Sequence, residues 1–245
     1  MDTILIYILV AAVTFAASYI QGAIGFGFGI FAMIFLPSLL SYTEANVLSS
    51  ILSALSALFV AILMFRKIHW KNILFPAIGC TFSAYVAVSF IKGQSSQTLS
   101  LLLGVALFLL SIYFFFFSDK IKIKPTWYAG LIAGILSGIL GGMFSIGGPP
   151  VVIYFMQSED SFDRYFATIS AYFVFSGITY VSTKAAAGFI TVSVWIALAI
   201  SILAMMAGSY IGKRTKDRID PKFAKKSVYV FMAISGSINI ITSLT

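Results

Sequence analysis

The sequence predicts an all-α polytopic membrane protein built as two inverted repeats, each a broken or re-entrant helical hairpin followed by three transmembrane helices. Of its 245 residues, 60% are hydrophobic and only 10% are charged, whereas roughly a quarter of a soluble domain is charged. Apolar stretches of about 20 residues, the length that spans a bilayer, recur along the chain. Two of these stretches are interrupted by glycine and proline at corresponding points, which is typical of secondary transporters.

Eight apolar segments follow one another in the order broken, span, span, span, and this order occurs twice. We expect a first repeat over 1–117, a cytoplasmic linker over 118–126 and a second repeat over 127–245. The halves share few identical residues, so the duplication lies mainly in hydropathy and motif order. The segments are 4–40, 45–65, 72–91, 98–117, 127–157, 165–183, 189–212 and 227–244.

The basic residues select between two topologies. If every segment crossed once, the lysines and arginines would divide almost evenly between the two sides, against the positive-inside rule. If each broken segment returns to the side it entered, 14 of the 16 share one side and only Lys92 and Lys184 face the other. The second topology makes loops 66–71, 118–126 and 213–226 cytoplasmic. It leaves open whether the hairpins cross fully or re-enter.

The two interruptions predict half-helices inside the membrane. In the first, Gly25, Gly27 and Gly29 alternate with phenylalanine. In the second, Gly147-Gly148-Pro149-Pro150 predicts a half-helix that begins near Pro149 and runs to Gln157, because proline is favoured in a first helical turn. The flanking arms, 127–140 and 148–157, are about 21 and 15 Å long as helix, too short to span the hydrocarbon core. Unpaired N–H groups and the helix dipole at such N-termini favour an anion. The alternative is that the glycines only allow close helix packing.

All charged residues lie at segment ends or in connections. We therefore expect an anion to be held by backbone N–H groups, hydroxyls and amides, with no metal, no cofactor and no central carboxylate for proton coupling. The polar residues that flank the interruptions are candidates for direct contact: Gln21, Ser137, Ser145 and Gln157. Serines within the spans either line the pathway or bond their own helix or a neighbouring one: Ser49, Ser53, Ser56, Ser170 and Ser176. Glu44 and Asp163 are expected to serve helix N-termini, with a gating or proton role as the alternative.

The paired motifs, from Gly22 to Pro37 and from Gly138 to Pro150, together with the duplication and the length, resemble the sulfite exporter TauE/SafE family. The resemblance covers nearly the whole chain. It implies a carrier of sulfite, organosulfonates or related small anions in the bacterial inner membrane. Ser145 stands where the family often has a further glycine. The resemblance also implies which residues border the transport site: Gly25, Gly27, Gly29, Gly141, Gly142, Gly147, Gly148 and Pro149.

These observations favour a secondary transporter, an exporter of a small anion that works by alternating access around the two hairpins. An anion channel and an accessory membrane subunit are the alternatives. Enzymatic activity is not expected, because the chain has one histidine and one cysteine and lacks a metal-binding or catalytic motif. The expected partners are a small anion and the lipid bilayer, not nucleic acid. The oligomeric state stays open, with a homodimer as the state considered.

Overall fold

The computed structural model describes residues 3–117, 124–215 and 221–244. These residues form ten α-helices and no strand, which confirms the all-α prediction. The predicted linker 118–126 and the basic loop 213–226 lie partly outside the described residues. The helices are α1 Thr3–Ile24, α2 Phe28–Phe35, α3 Tyr42–Leu63, α4 Trp70–Ile91, α5 Ser96–Phe117, α6 Trp127–Phe144, α7 Gly148–Ser158, α8 Phe162–Ala186, α9 Val192–Thr215 and α10 Pro221–Leu244.

Seven helices in the described part of the chain are long and apolar enough to cross a membrane, namely α1, α3, α4, α5, α6, α8 and α9. In α10, which has 24 residues, the apolar stretch with described side chains is Tyr229–Ser243. By contrast, α2 and α7 have 8 and 11 residues and are about 12 and 17 Å long. The multi-pass membrane prediction is therefore confirmed, and two helices are too short to span.

Both helix breaks lie where the sequence predicts them, at residues 25–27 and 145–147. The half-helix α7 begins one residue before Pro149 and ends one residue after Gln157. The prediction of a short first arm over 127–140 is wrong for the second hairpin, because α6 has 18 residues and is long enough to span. In the first hairpin, α1 has 22 residues. In α6 the helix continues through glycines that pack directly on α4. Gly134 and Gly142 lie so close to Pro76 and Ala84 that a Cβ atom would meet their backbones.

The helices pack in pairs that correspond between the two halves. In each half, the first arm of the hairpin packs on the fourth helix of the other half, as α1 on α9 and α6 on α4. The third helices, α3 and α8, pack on each other, and so do the last helices, α5 and α10. The α1–α9 and α4–α6 pairs run parallel, whereas α3–α8 and α5–α10 run antiparallel. Contacts that fix these directions are Phe15–Gly208, Tyr19–Gly212, Pro76–Gly134, Ala84–Gly142, Ala54–Gly177, Asn46–Lys184, Gln97–Ser243 and Phe114–Tyr229.

The second hairpin begins and ends at the same end of the molecule. At its start, the Trp127 ring contacts the Phe75 ring in the second turn of α4. At its end, the Ser158 carbonyl accepts a hydrogen bond from Asn72 in the first turn of α4. The second hairpin therefore enters and returns on one side of the helix bundle. Residues 145–147 form the break between its two helices.

Candidate functional site

The two breaks meet inside the bundle. The α-carbon of Gly29, in the first turn of α2, faces the Ser145 carbonyl so closely that a Cβ atom would lie 1.7 Å from its oxygen. Residues from both breaks line one cavity, together with polar residues from α1, α3 and α8. Ser50 and Ser53, near the middle of α3, place this cavity well inside the molecule.

The first break is made by glycine in left-handed conformations. Gly27, the N-cap of α2, has φ 105°, a value that only glycine adopts readily. The α1 helix closes just before it, where the Gly25 N–H donates to the Gln21 carbonyl. The Gln21 side chain then crosses to α3: its amide donates to the Ser53 carbonyl and accepts from the Ser53 hydroxyl.

The second break turns at Ser145, which has φ 59° and is the C-cap of α6. Its N–H and that of Ile146 donate back to carbonyls of the last α6 turns. The end of α6 is also held by α3, since Tyr42 and Asn46 both donate to the Met143 carbonyl. A non-glycine residue is thus kept in the left-handed region by contacts of its own helix and of α3.

The two half-helix N-termini differ in the N–H groups that they offer. In α2, the N–H groups of Phe28, Gly29 and Ile30 precede the first bond within the helix, which Phe31 makes to Gly27. In α7, positions 149 and 150 are proline and carry no N–H group. Gly148 is thus the one residue among the first three of α7 that carries an N–H group, so the two half-helix N-termini differ in the donors that they can offer an anion. That they bind an anion stays a prediction.

The cavity has a volume of about 30 Å³, which is enough for one or two water molecules. Phe28, Phe173 and Tyr180 contribute aromatic rings to its wall.

Several predicted residues come together at the cavity. Those from the predicted binding set are Gln21, Gly27, Gly29, Ser145, Gly147 and Gly148, and those from the predicted pathway set are Ser53 and Ser176.

The other predicted residues lie away from the cavity wall. Gly25 packs against Phe166, Gly141 against the Tyr180 ring and Gly142 against α4. Pro149 faces an apolar groove between α5, α6 and α7, and Gln157 lies in the last turn of α7. In the pathway set, Ser56 bonds Ser209 of α9, Ser170 bonds its own helix, and the buried Ser49 hydroxyl has no hydrogen-bond partner among the described residues.

Ser137 supports the second break from behind. Its hydroxyl donates to the Gly147 carbonyl and accepts from the Tyr172 hydroxyl. The Tyr180 hydroxyl donates to the Ser137 carbonyl. Ser137 therefore fixes the position of the residue that precedes α7, and it does so from the buried side.

The expectation that no basic residue reaches the interior is wrong. Lys184 lies in the last turn of α8, and its side chain is 0% exposed. It was predicted to lie in an outer connection because the apolar segment ends at residue 183. The helical face gives the signal that was missed: Ser176, Tyr180 and Lys184 follow one another at intervals of four, and the first two line the cavity. On α3, Asn46 and Ser50 extend the face of Ser53 in the same way.

The two acidic residues at segment starts do serve helix N-termini. Glu44 completes a capping box with Ser41 at the start of α3. Asp163 lies in the first turn of α8 and pairs with Lys67 across the bundle end. Neither side chain lines the cavity.

A family model described as sulfite exporter TauE/SafE matches residues 10–238. The matched region contains both breaks and nearly all of both sets of helices. The chain belongs to the TauE/SafE family. It is thus a multi-pass membrane protein of a transporter family, as its resemblance predicts. Neither a curated protein nor a solved structure matches the chain.

Proposed function

We propose that this TauE/SafE protein is a secondary transporter that exports a small anion, such as sulfite or an organosulfonate, by alternating access around its two broken hairpins. The observation that carries the proposal is the cavity lined by both half-helix N-termini, with Gly27 and Gly29 on one side and Gly147 and Gly148 on the other. Backbone N–H groups at helix N-termini favour negative charge. The exporting direction and the sulfur oxyanion follow from the family description.

The small size of the cavity favours a carrier over a pore. A channel needs a continuous path, whereas this space holds one or two water molecules. A carrier in a closed state needs the helices around the breaks to move before an anion can enter. Beside α7, an apolar groove of about 520 Å³ between α5 and α6 provides space for such a movement.

The helix pairing supports the proposed inverted repeat. A two-fold axis in the membrane plane relates equivalent helices head to tail. Where equivalent helices pack on each other, they must then be antiparallel, as α3–α8 and α5–α10 are. The same axis exchanges α1–α9 with α6–α4, and both of these pairs are parallel.

Cysteine accessibility tests this arrangement. In a Cys80→Ser background, Ser38→Cys at the end of the first hairpin and Asp160→Cys at the end of the second are expected to react from opposite sides of the membrane. Both native residues are exposed. Reaction from the same side would contradict the inverted repeat and the bacterial inner-membrane orientation with loops 66–71, 118–126 and 213–226 in the cytoplasm.

Sulfite counterflow in liposomes tests the function. The purified protein is expected to show saturable uptake that sulfite inside the vesicles accelerates, because a carrier returns faster when loaded. Gly148→Leu should abolish this uptake and leave membrane insertion intact, because the leucine side chain would fill the cavity that Gly148 lines. A Cβ atom alone at position 148 meets only the side chains of Phe173 and Phe26, at 3.4 Å or more. Gly148→Ala is the matched control and should keep most of the activity. Uptake without acceleration would indicate a channel, and no uptake of any small anion would indicate an accessory subunit.

A further inference from the structure

Lys184 occupies an unusual place for a cationic side chain in a membrane protein. It is fully buried between α8, α3 and the second break. Its ammonium group donates to the Asn46 side-chain oxygen, to Ser50 at 2.7 Å and to Ser145 at 3.1 Å. These three acceptors match the three protons of the ammonium group.

All the hydrogen-bond acceptors of Lys184 are neutral. The ion pairs among the described residues are Lys67–Asp163, His69–Glu159 and Arg164–Asp160, and Lys184 takes part in none of them. A buried charge is costly unless it is paired with an opposite charge. Intramembrane cationic residues accordingly mark the pathways of ions and charged substrates.

Two of these acceptors also form part of the cavity wall. Ser50 and Ser145 both line the cavity, and their hydroxyl oxygens lie 2.7 Å apart. The Ser50 hydroxyl now donates to the Asn46 carbonyl, and the Ser145 hydroxyl donates to the carbonyl and side-chain oxygens of Asn46. Because a hydroxyl hydrogen rotates to suit its acceptors, each can exchange Asn46 for an anion while its oxygen still accepts from Lys184. An anion in the cavity would thus accept hydrogen bonds from Ser50 and Ser145. The Lys184 ammonium group would lie on the far side of these two hydroxyls from the anion.

We infer that Lys184 is the counter-charge of the transported anion and acts through the Ser50 and Ser145 hydroxyls. This inference rests on the proposed function and adds the residue that makes the site selective for negative charge. The cation also joins α3, α8 and the second break through its hydrogen bonds. An anion bound to Ser50 and Ser145 would therefore lie beside a contact that joins α3, α8 and the second break.

Lys184→Met tests the inference, because methionine replaces most of the side-chain length without the charge. The readouts are the KM and kcat of sulfite uptake into liposomes and the rise in melting temperature that sulfite causes at constant ionic strength. We expect the KM to increase about 300-fold, as for the loss of the attraction between two unit charges about 5 Å apart at an effective dielectric constant near 20. The rise in melting temperature should disappear. Lys92→Met removes the same charge from an exposed position and should match the wild type.

Stability in the absence of an anion separates this role from a purely structural one. If Lys184 is an uncompensated charge, Lys184→Met should melt at the same temperature as the wild type or higher when no anion is added. If Lys184 serves only to hold the helices together, the variant should melt lower with and without sulfite, and the KM should stay unchanged. The latter result would overturn the inference.

Asn46→Asp gives a second test that keeps the lysine. It places a carboxylate where Lys184 already donates a hydrogen bond, so the cation acquires a resident counter-charge. Tyr42 continues to bond the Met143 carbonyl when the Asn46 amide is lost. We expect this variant to fold and to lose sulfite binding. Unchanged affinity in Asn46→Asp would contradict the role of Lys184.

Different results would contradict the proposed function and the role of Lys184. Wild-type protein that does not transport sulfite contradicts the proposed substrate, and the melting-temperature comparison is then made with sulfate, thiosulfate, methanesulfonate and acetate. A stabilisation by any of these that depends on Lys184 supports the inference. If none stabilises the wild type more than Lys184→Met, the inference is wrong. If the wild type transports sulfite and Lys184→Met does so with the same KM, the inference is contradicted and the proposed function is not.

Discussion

The two breaks lie at corresponding points of the chain but supply positive potential by different means. The first offers three backbone N–H groups, at Phe28, Gly29 and Ile30, ahead of the first bond within α2. The second has lost two of these donors to Pro149 and Pro150. In their place it has the hydroxyl of Ser145, which accepts a hydrogen bond from a buried lysine.

This difference would give the two breaks separate roles in the proposed anion site. Helix N-termini provide only partial charges, each equivalent to about half an elementary charge, and they cannot distinguish strongly between a monoanion and a neutral polar solute. In the proposed role of Lys184, a full positive charge next to the second break would add that discrimination. The first break can then serve mainly as a rigid backbone surface, and the second as the side that responds to charge.

The largest effect is expected at the contact between the breaks. Gly29→Ala places a Cβ atom 1.7 Å from the Ser145 carbonyl oxygen, which forces the two breaks apart. We expect transport to be lost and the free energy of unfolding to fall on the order of 3 kcal/mol or more. Gly148→Ala, in the first turn of α7, leaves 3.4 Å between the new Cβ atom and its nearest neighbour and should be nearly neutral. Uptake assays and thermal unfolding of both variants check this, and equal effects would mean that the breaks do not touch.

A smaller effect is expected at Ser145. Two substitutions there distinguish the contribution of the hydroxyl group from that of the backbone conformation. Both Ser145→Ala and Ser145→Gly remove a ligand of Lys184, so both should raise the KM of sulfite uptake about tenfold, as for one hydrogen bond to a charged group. Only glycine relieves the left-handed conformation, with φ 59°. Ser145→Gly should therefore be more stable than Ser145→Ala by about 1 kcal/mol. An unchanged KM in both variants would exclude the hydroxyl from the site.

Much of the fold could be predicted because membrane-spanning helices can be recognised from the length and composition of apolar segments. Glycine and proline likewise marked the breaks, and α7 begins and ends within one residue of its predicted limits. The length of α6 could not be predicted in this way. Glycine lowers helix propensity in isolation, but in α6 Gly134 and Gly142 allow close contact with α4, and this packing keeps the helix intact to Phe144.

The candidate site could be predicted only where the chain itself is interrupted. Six residues of the predicted binding set line the cavity because they lie in or beside the breaks. Asn46, Tyr180 and Lys184 were missed because they lie on uninterrupted helices. Their role depends on which face of α3 and α8 points inward, and a lysine near the end of an apolar segment looks like a residue of the connection. Only the packing of α3 on α8 shows that this lysine points into the bundle.

The most direct test of the central claim is to locate a bound anion. Selenite has the pyramidal shape and charge of sulfite, and its selenium atom can be located by anomalous scattering in crystals of the full chain. Bound selenite is expected between the two breaks, within hydrogen-bond distance of the Gly29 and Gly148 N–H groups and of the Ser50 and Ser145 hydroxyls. Selenite bound elsewhere, such as beside Pro149 in the apolar groove or at the bundle ends, with none between the breaks, would contradict the account.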